Sequence, residues 1–197
     1  MTLVLASASP ARSALLSAAG VSFSVLPASI DERAIEIPLI AGGASPADLA
    51  AALAEAKAVA VSRAAGDALV VGADQTLDLD GNRWTKPASE ADAREQLARL
   101  SGREHRLHSA VAVARAGRVT WHHAESASLT MRPLTAASID AYLAAAGGAA
   151  LSSVGAYQIE GPGIRLFERI DGDFFAILGL PLLPLLAYLR SEGEIAW

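Results

Sequence analysis

Residues 67–74, Asp-Ala-Leu-Val-Val-Gly-Ala-Asp, form an apolar run closed by an aspartate at each end. The run does not alternate, so a strand made from it must be covered on both faces. That requirement favours a sheet buried between helices over a sheet with one wet face. Residues 2–6, Thr-Leu-Val-Leu-Ala, read as a second such strand. Ser9 and Pro10 follow at once, a cap and a first-turn proline for a helix predicted to about Ala19.

The rest of the chain continues this alternation. Residues 21–27 alternate and predict a strand, and Ile30-Asp31-Glu32-Arg33 reads as a polar connection. Ser45-Pro46 opens a helix to about Ala65, with Leu49, Leu53, Ala56 and Ala60 on one face. Residues 76–84 predict a hairpin turning at Asp80-Gly81-Asn82. Ser89 with Asp92 caps a helix to about Leu100. Strands are expected over 104–115 and 118–130, and a helix from Thr135 to about Ala146. Residues 163–178 read as strand, turn and strand, and Pro181 opens a last helix. Early strand–helix alternation followed by hairpins predicts an α/β fold with a mixed sheet.

With 197 residues the chain is expected to form one domain spanning 1–197, or two small lobes sharing a core. Cysteine is absent, which excludes disulfides, thiolate metal sites and a cysteine nucleophile, and fits a reducing cytoplasm. A net charge of −5 argues against a nucleic-acid or anionic-membrane surface, though not against a small basic pocket. Residues 174–189 are uncharged, but 16 residues broken by Gly179, Pro181 and Pro184 fall short of a membrane span.

Several residues carry candidate chemistry. The helix start at Ser9 offers unpaired N–H groups and a positive dipole end, with Ser7 and Ser9 as extra donors. Arg12 in that first turn adds charge of the dipole's own sign, which a docked oxyanion would reverse. Taken alone, the stretch is also accounted for by an ordinary capped helix with a solvated arginine. Of 16 cationic residues only two are lysines, Lys57 and Lys86. Lys57 borders the apolar stripe of its helix, so it either points into a cleft or snorkels. Lys86 precedes Pro87 and is either a phosphate partner or a turn lysine. Asp74 ends the apolar run where α/β sheets place ligands, or else forms a turn. Glu32 either brings a second carboxylate to the same edge or lies in a solvated loop, the simpler reading of that stretch alone. Two carboxylates completed by a substrate phosphate suit Mg²⁺ or Mn²⁺. The four histidines show no metal-site spacing, and solvated or edge positions are expected for them. No Walker loop, G-x-G-x-x-G or G-x-S-x-G motif occurs.

In chain order, these segments resemble the Maf family of nucleotide pyrophosphatases. The match comprises LASASPARSALL, IDER, AEAKA, VGADQ, TKP, LSGREH, YQIEGPG and IDGDFFAILGLPL. The resemblance implies an elongated mixed β-sheet flanked by helices, two lobes with a central cleft as in inosine triphosphatase-like proteins, and often a homodimer. It implies hydrolysis of a nucleoside triphosphate at the α–β bond, with Mg²⁺, Mn²⁺ or Co²⁺ required. Asp74 would then be catalytic, Glu32 and Asp74 metal ligands, and Ser7, Ser9, Arg12, Lys57 and Lys86 the triphosphate's partners. A role in septum formation, with little turnover, is the competing expectation.

Three positions bear on the base. The family branch that acts on dTTP and UTP has arginine where this chain has Ala11, threonine where it has Gln75, and glutamine where it has Glu160. Gln75 and Glu160 match the branch that prefers 7-methyl-GTP, although that branch has tryptophan at the Ala11 position. A guanine edge offers N1–H and N2–H₂ donors to a carboxylate such as Glu160, whereas thymine and uracil offer one donor between two carbonyls. The expected substrate is therefore 7-methyl-GTP or a similar purine triphosphate.

Overall fold

The computed structural model describes residues 3–197, which form two compact units. The first unit comprises residues 3–75, His108–Glu125 and Asp173–Trp197, and the second comprises Thr76–Leu107 and Ser126–Gly172. In the first, β1 (Leu3–Leu5) runs parallel to both β2 (Ser24–Val25) and β3 (Leu69–Leu79). Leu3, Val4 and Leu5 stand opposite Leu69, Val70 and Val71. The strand expected over 21–27 is reduced to the two residues of β2.

Both faces of β3 are covered, as its unbroken apolar run requires. Leu69, Val71 and Ala73 share a core with Leu16 of α1 (Pro10–Ala18) and Leu182, Leu185 and Leu189 of α7 (Leu182–Ser191). Fully burying each such leucine contributes about 1.5–3 kcal/mol. The opposite face meets α3 (Pro46–Ser62), where Ala50, Ala54 and Ala58 pack against Ala110, Ala112 and Ala114 of β5 (Glu104–Arg115). This layer is made of small residues so that helix and sheet can approach closely. A Cβ on Gly72 would lie 2.3 Å from the Ala54 carbonyl oxygen and 2.5 Å from the Ala58 nitrogen. No side chain fits there without moving α3 off the sheet. The buried face of α3 accordingly includes Ala50, Ala54 and Ala58 rather than Ala56 and Ala60. Alanine on nearly every side of the helix hides its inner face from a periodicity argument.

Two expected boundaries move. β3 does not end at Asp74 but continues to Leu79, because Asp74 and Gln75 each find a buried partner and Leu77 and Leu79 return to apolar surroundings. Ile30–Arg33 is not a loop: Asp31 accepts a hydrogen bond from the Ala34 N–H and caps α2 (Glu32–Ala41). Pro38 inside that helix masks it in the sequence.

The second unit begins with the far half of β3, which turns through Asp80 and Gly81, both at positive φ, into β4 (Asn82–Trp84). That is the expected hairpin, with a two-residue turn. α4 (Glu90–Leu100) and α5 (Ala136–Ala146) start at the predicted caps Ser89 and Thr135. β5 passes through Ala116-Gly117 into β6 (Arg118–Met131), which pairs antiparallel with β7 (Phe167–Asp171). Among the described residues the strand order is β2-β1-β3-β5-β6-β7, with β4 on β3. Both parallel and antiparallel pairs occur, which bears out the mixed α/β expectation.

The segment expected as a second strand after β7 is instead a short helix, α6 (Phe174–Ile177), in the first unit. Gly172 turns the chain at φ 139°, and Asp173 accepts from the Ala176 N–H at 2.8 Å, which starts a helix. His105 and His108 also depart from expectation, since both are buried. His105 is hydrogen-bonded to the Tyr157 hydroxyl at 2.7 Å and packs on Phe167. Burial pushes its imidazole down to about 4, so the ring is neutral at pH 7. No helix of the described residues is long and apolar enough to cross a membrane.

Candidate active site

The close approach at Gly72 sets up the charged cluster. Asp74 shares a strand face with Gly72, two residues on, and so faces α3. From α3, Lys57 places Nζ 2.6 Å from Asp74 Oδ1 and 2.7 Å from Glu32 Oε1. Glu32 is the first residue of α2, held by the Asp31 cap. One ammonium thus bridges two carboxylates from separate elements. The arms differ: the Lys57 and Asp74 side chains are 13% and 11% exposed, whereas Glu32 is 44% exposed. Water screens the Glu32 arm far more, so the Asp74 arm carries most of the attraction.

Arg12 lies on the other side of β3, and its guanidinium is anchored to backbone. Nε donates to the Gly179 carbonyl at 2.8 Å, and Nη1 donates to the Ala73 carbonyl at 2.8 Å and to Ser7 Oγ at 3.1 Å. The Ala73 carbonyl immediately precedes Asp74 in the chain. Burial pushes the Arg12 guanidinium below its ordinary value, and the nearby Asp74 and Glu32 carboxylates act in the opposite direction. Ser7 also accepts from the Ser9 N–H, while Ser9 Oγ accepts from the Arg12 N–H as the α1 cap. A cation in the first turn of a helix is therefore satisfied by carbonyl oxygens of β3 and of the turn after α6.

Gln75 points to the opposite side from Asp74. Its Nε2 donates to Ser109 Oγ at 2.9 Å and to the Ala176 and Ile177 carbonyls at 3.1 and 2.9 Å. Ser109 Oγ donates to the Ala176 carbonyl at 2.6 Å. Ser109 is not among the residues predicted from sequence. The available signal was a serine directly before the apolar run 110–114, which must find a partner when buried.

Ser7, Ser9, Ala11, Arg12, Glu32, Lys57, Asp74 and Gln75 all belong to the first unit, and Lys86 and Glu160 to the second. Ala11 is half-buried on α1, and Lys86 is exposed just before Pro87. Glu160 is exposed on a rigid loop. Gly155 and Ala156 both have positive φ there, Tyr157 is buried, and a Cβ on Gly163 would sit 2.4 Å from the Gln158 carbonyl oxygen.

Two carboxylates converging on one cation fit a hard divalent ion. Magnesium takes one or two carboxylates and completes its shell with water and substrate phosphate. Glu32 and Asp74 supply that donor set. No group of three or more histidine, cysteine, aspartate or glutamate side chains that could hold a metal ion occurs among the described residues.

A family model described as Maf-like protein matches residues 2–192. A protein named 7-methyl-GTP pyrophosphatase from Rhizobium meliloti (strain 1021) is 57% identical over 193 residues, covering 98% of this chain and 97% of its own. A nucleoside triphosphate pyrophosphatase from Rhodopseudomonas palustris (strain BisB18) is 53% identical, covering 99% of this chain and 96% of its own. Among solved structures, a nucleoside-triphosphatase, a dITP/XTP pyrophosphatase from Mycobacterium abscessus, aligns with a TM-score of 0.45 at 17% identity, over 98% of this chain and 95% of that one. Matching a single family model over nearly its whole length, this chain belongs to the Maf-like protein family.

Proposed function

We propose that this protein hydrolyses a purine nucleoside triphosphate at the α–β bond, with 7-methyl-GTP or a closely similar nucleotide as substrate. The observation that carries this reading is the Lys57 ammonium seated between Asp74 and Glu32, with Arg12 anchored to the carbonyl beside Asp74. Phosphoryl transfer asks for charge neutralisation, alignment and an activated water, and little else from the protein. Water attacks the α-phosphorus, the bond to the α–β bridging oxygen breaks, and pyrophosphate leaves with that oxygen. Asp74 takes the proton from the attacking water. Lys57 neutralises phosphate oxygens, together with Ser7, Ser9 and the Nη2 hydrogens of Arg12, and the family resemblance implies a phosphate role for Lys86 as well. Glu32 and Asp74 would hold a divalent cation in place of the Lys57 ammonium they share, which would then turn to the phosphates; that cation would supply charge neutralisation and lower the pKa of a bound water.

Glu160 supplies the carboxylate that accepts from a guanine edge. The name of the Rhizobium meliloti relative supports this substrate and that of the Rhodopseudomonas palustris relative supports the reaction. Gln75 and Glu160 match the 7-methyl-GTP branch that the resemblance describes, while Ala11 does not. We assign the protein to the cytoplasm, as a chain without cysteine permits, and to the homodimeric assembly that the family resemblance implies. The competing assignments are a dTTP/UTP pyrophosphatase and a nucleotide-binding regulator of septum formation with little turnover. A substrate panel separates the three. The expected result is the highest kcat/KM for 7-methyl-GTP, with GTP ahead of dTTP and UTP. Replacing Glu160 by glutamine should narrow the gap between purine and pyrimidine by about tenfold, roughly one hydrogen bond to a charged acceptor. Best turnover of dTTP and UTP would refute the substrate assignment, and no turnover with any metal would favour the regulator.

A further inference from the structure

Phe174 is the one apolar residue of α6 that the fold leaves outside. Its side chain is 52% exposed, whereas Phe175 packs on the core and Ala176 and Ile177 are buried. A lone exposed phenylalanine is ordinary. What sets this one apart is the turn that carries it. The Ala176 carbonyl accepts from Gln75 Nε2 and Ser109 Oγ, the Ile177 carbonyl accepts from Gln75 Nε2, and the Gly179 carbonyl accepts from Arg12 Nε. Asp173 holds the N–H of Ala176 from the other end. Three side chains therefore hold backbone groups of this four-residue helix, and a fourth, Arg12, holds the turn that follows it. Two of those side chains, Gln75 and Arg12, lie next to Asp74 and on the carbonyl beside it. The Phe174 ring is steadied further by an edge contact with Phe175, centroids 5.9 Å apart. A rigid, half-exposed aromatic ring is thus tied directly to the strand that bears the catalytic carboxylate.

We propose that Phe174 is the face on which the nucleobase stacks, and that Gln75 is a positioning residue that holds this face by clamping α6. This rests on the nucleotide reading above and adds the part that reads the base. The Gln75 amide hydrogens are committed to protein acceptors, so they are not available to donate to the base. A threonine at this position is too short to reach the Ile177 carbonyl, so α6 would lose that tie and keep only those from Ser109, Asp173 and Arg12. The ring also suits the substrate. Methylation at N7 gives guanine a delocalised positive charge, which an aromatic face attracts more strongly than a neutral base.

The test uses the whole protein and four proteins in parallel: wild type, Phe174→Ala, Phe174→Tyr and Gln75→Leu. KM and kcat are measured for 7-methyl-GTP and GTP, and inorganic tripolyphosphate is used as a competitive inhibitor that has no base. Phe174→Ala should raise KM for 7-methyl-GTP about tenfold, at the lower end of base–aromatic stacking, with little change in kcat. The rise for GTP should be about threefold smaller, because the cation–π part is absent. Phe174→Tyr should restore KM, and Gln75→Leu should reproduce the Phe174→Ala pattern. Inhibition by tripolyphosphate should be unchanged throughout. An unchanged KM in Phe174→Ala would overturn the proposal. So would a loss of tripolyphosphate binding equal to that of nucleotide, which would mean that α6 serves the phosphate site. A shift in subunit association without a KM change would assign Phe174 to an interface and overturn it equally. If wild type turns over no triphosphate at all, the functional reading itself fails, an outcome distinct from any of these.

Discussion

Asp74→Asn is expected to lower kcat by about 10²–10⁴, the usual contribution of a positioned general base, with KM changed far less. Asparagine keeps the size and one acceptor oxygen, but it cannot take a proton from water and is a poor metal ligand. The fold should survive. Lys57 retains Glu32 as a partner at 2.7 Å, and the apolar packing of β3 on both faces is untouched. A melting temperature within a few degrees of wild type, together with the kcat loss, is the expected pair of results. Full activity in Asp74→Asn would remove the residue from the chemistry and the assignment with it.

Lys57→Met tests the same cluster from the other side. Methionine replaces most of the aliphatic stem but leaves Asp74 and Glu32 facing each other without their cation. Breaking a buried ion pair from one side costs 3–5 kcal/mol in general. Here Glu32 is 44% exposed and well screened, so about 2–3 kcal/mol of stability is the expected loss, read by denaturant unfolding. kcat/KM should fall by about 10²–10³, as when one preorganised donor to a developing charge is removed. Lys57→Arg restores the charge as a planar fork in place of a point charge, so it should recover most of the stability and little of the activity. Loss of stability without loss of activity would make the lysine a structural tether only.

Much of this site was legible in the sequence because its residues break local rules. Asp74 interrupts an apolar run, Lys57 is one of two lysines against 14 arginines, and Arg12 puts a cation at a helix start. Each is costly where it stands unless something meets it, and in the structure something does. The caps at Ser9, Ser45, Ser89 and Thr135 were legible for a related reason, since a short polar side chain before an apolar run has few other uses. What was not legible depended on contacts distant in sequence. α2 was hidden by Pro38, and α6 was hidden because Phe-Phe-Ala-Ile suits a strand until Asp173 is seen to cap it. The inner face of α3 could not be read from alanines spread around the helix, and only Gly72 on a distant strand picks it out. The histidines failed in the same way: His105 is buried by Tyr157, 52 residues further along the chain. Gln75 was legible as a residue that differs between branches, but not as one whose amide is spent on α6.

The proposed reaction cleaves the nucleotide at the α-phosphorus. Single turnover of 7-methyl-GTP in ¹⁸O-enriched water, followed by mass spectrometry of the products, tests it most directly. Attack at the α-phosphorus gives nucleoside monophosphate carrying one ¹⁸O and unlabelled pyrophosphate. Nucleoside diphosphate with inorganic phosphate, or label in the pyrophosphate, would contradict it.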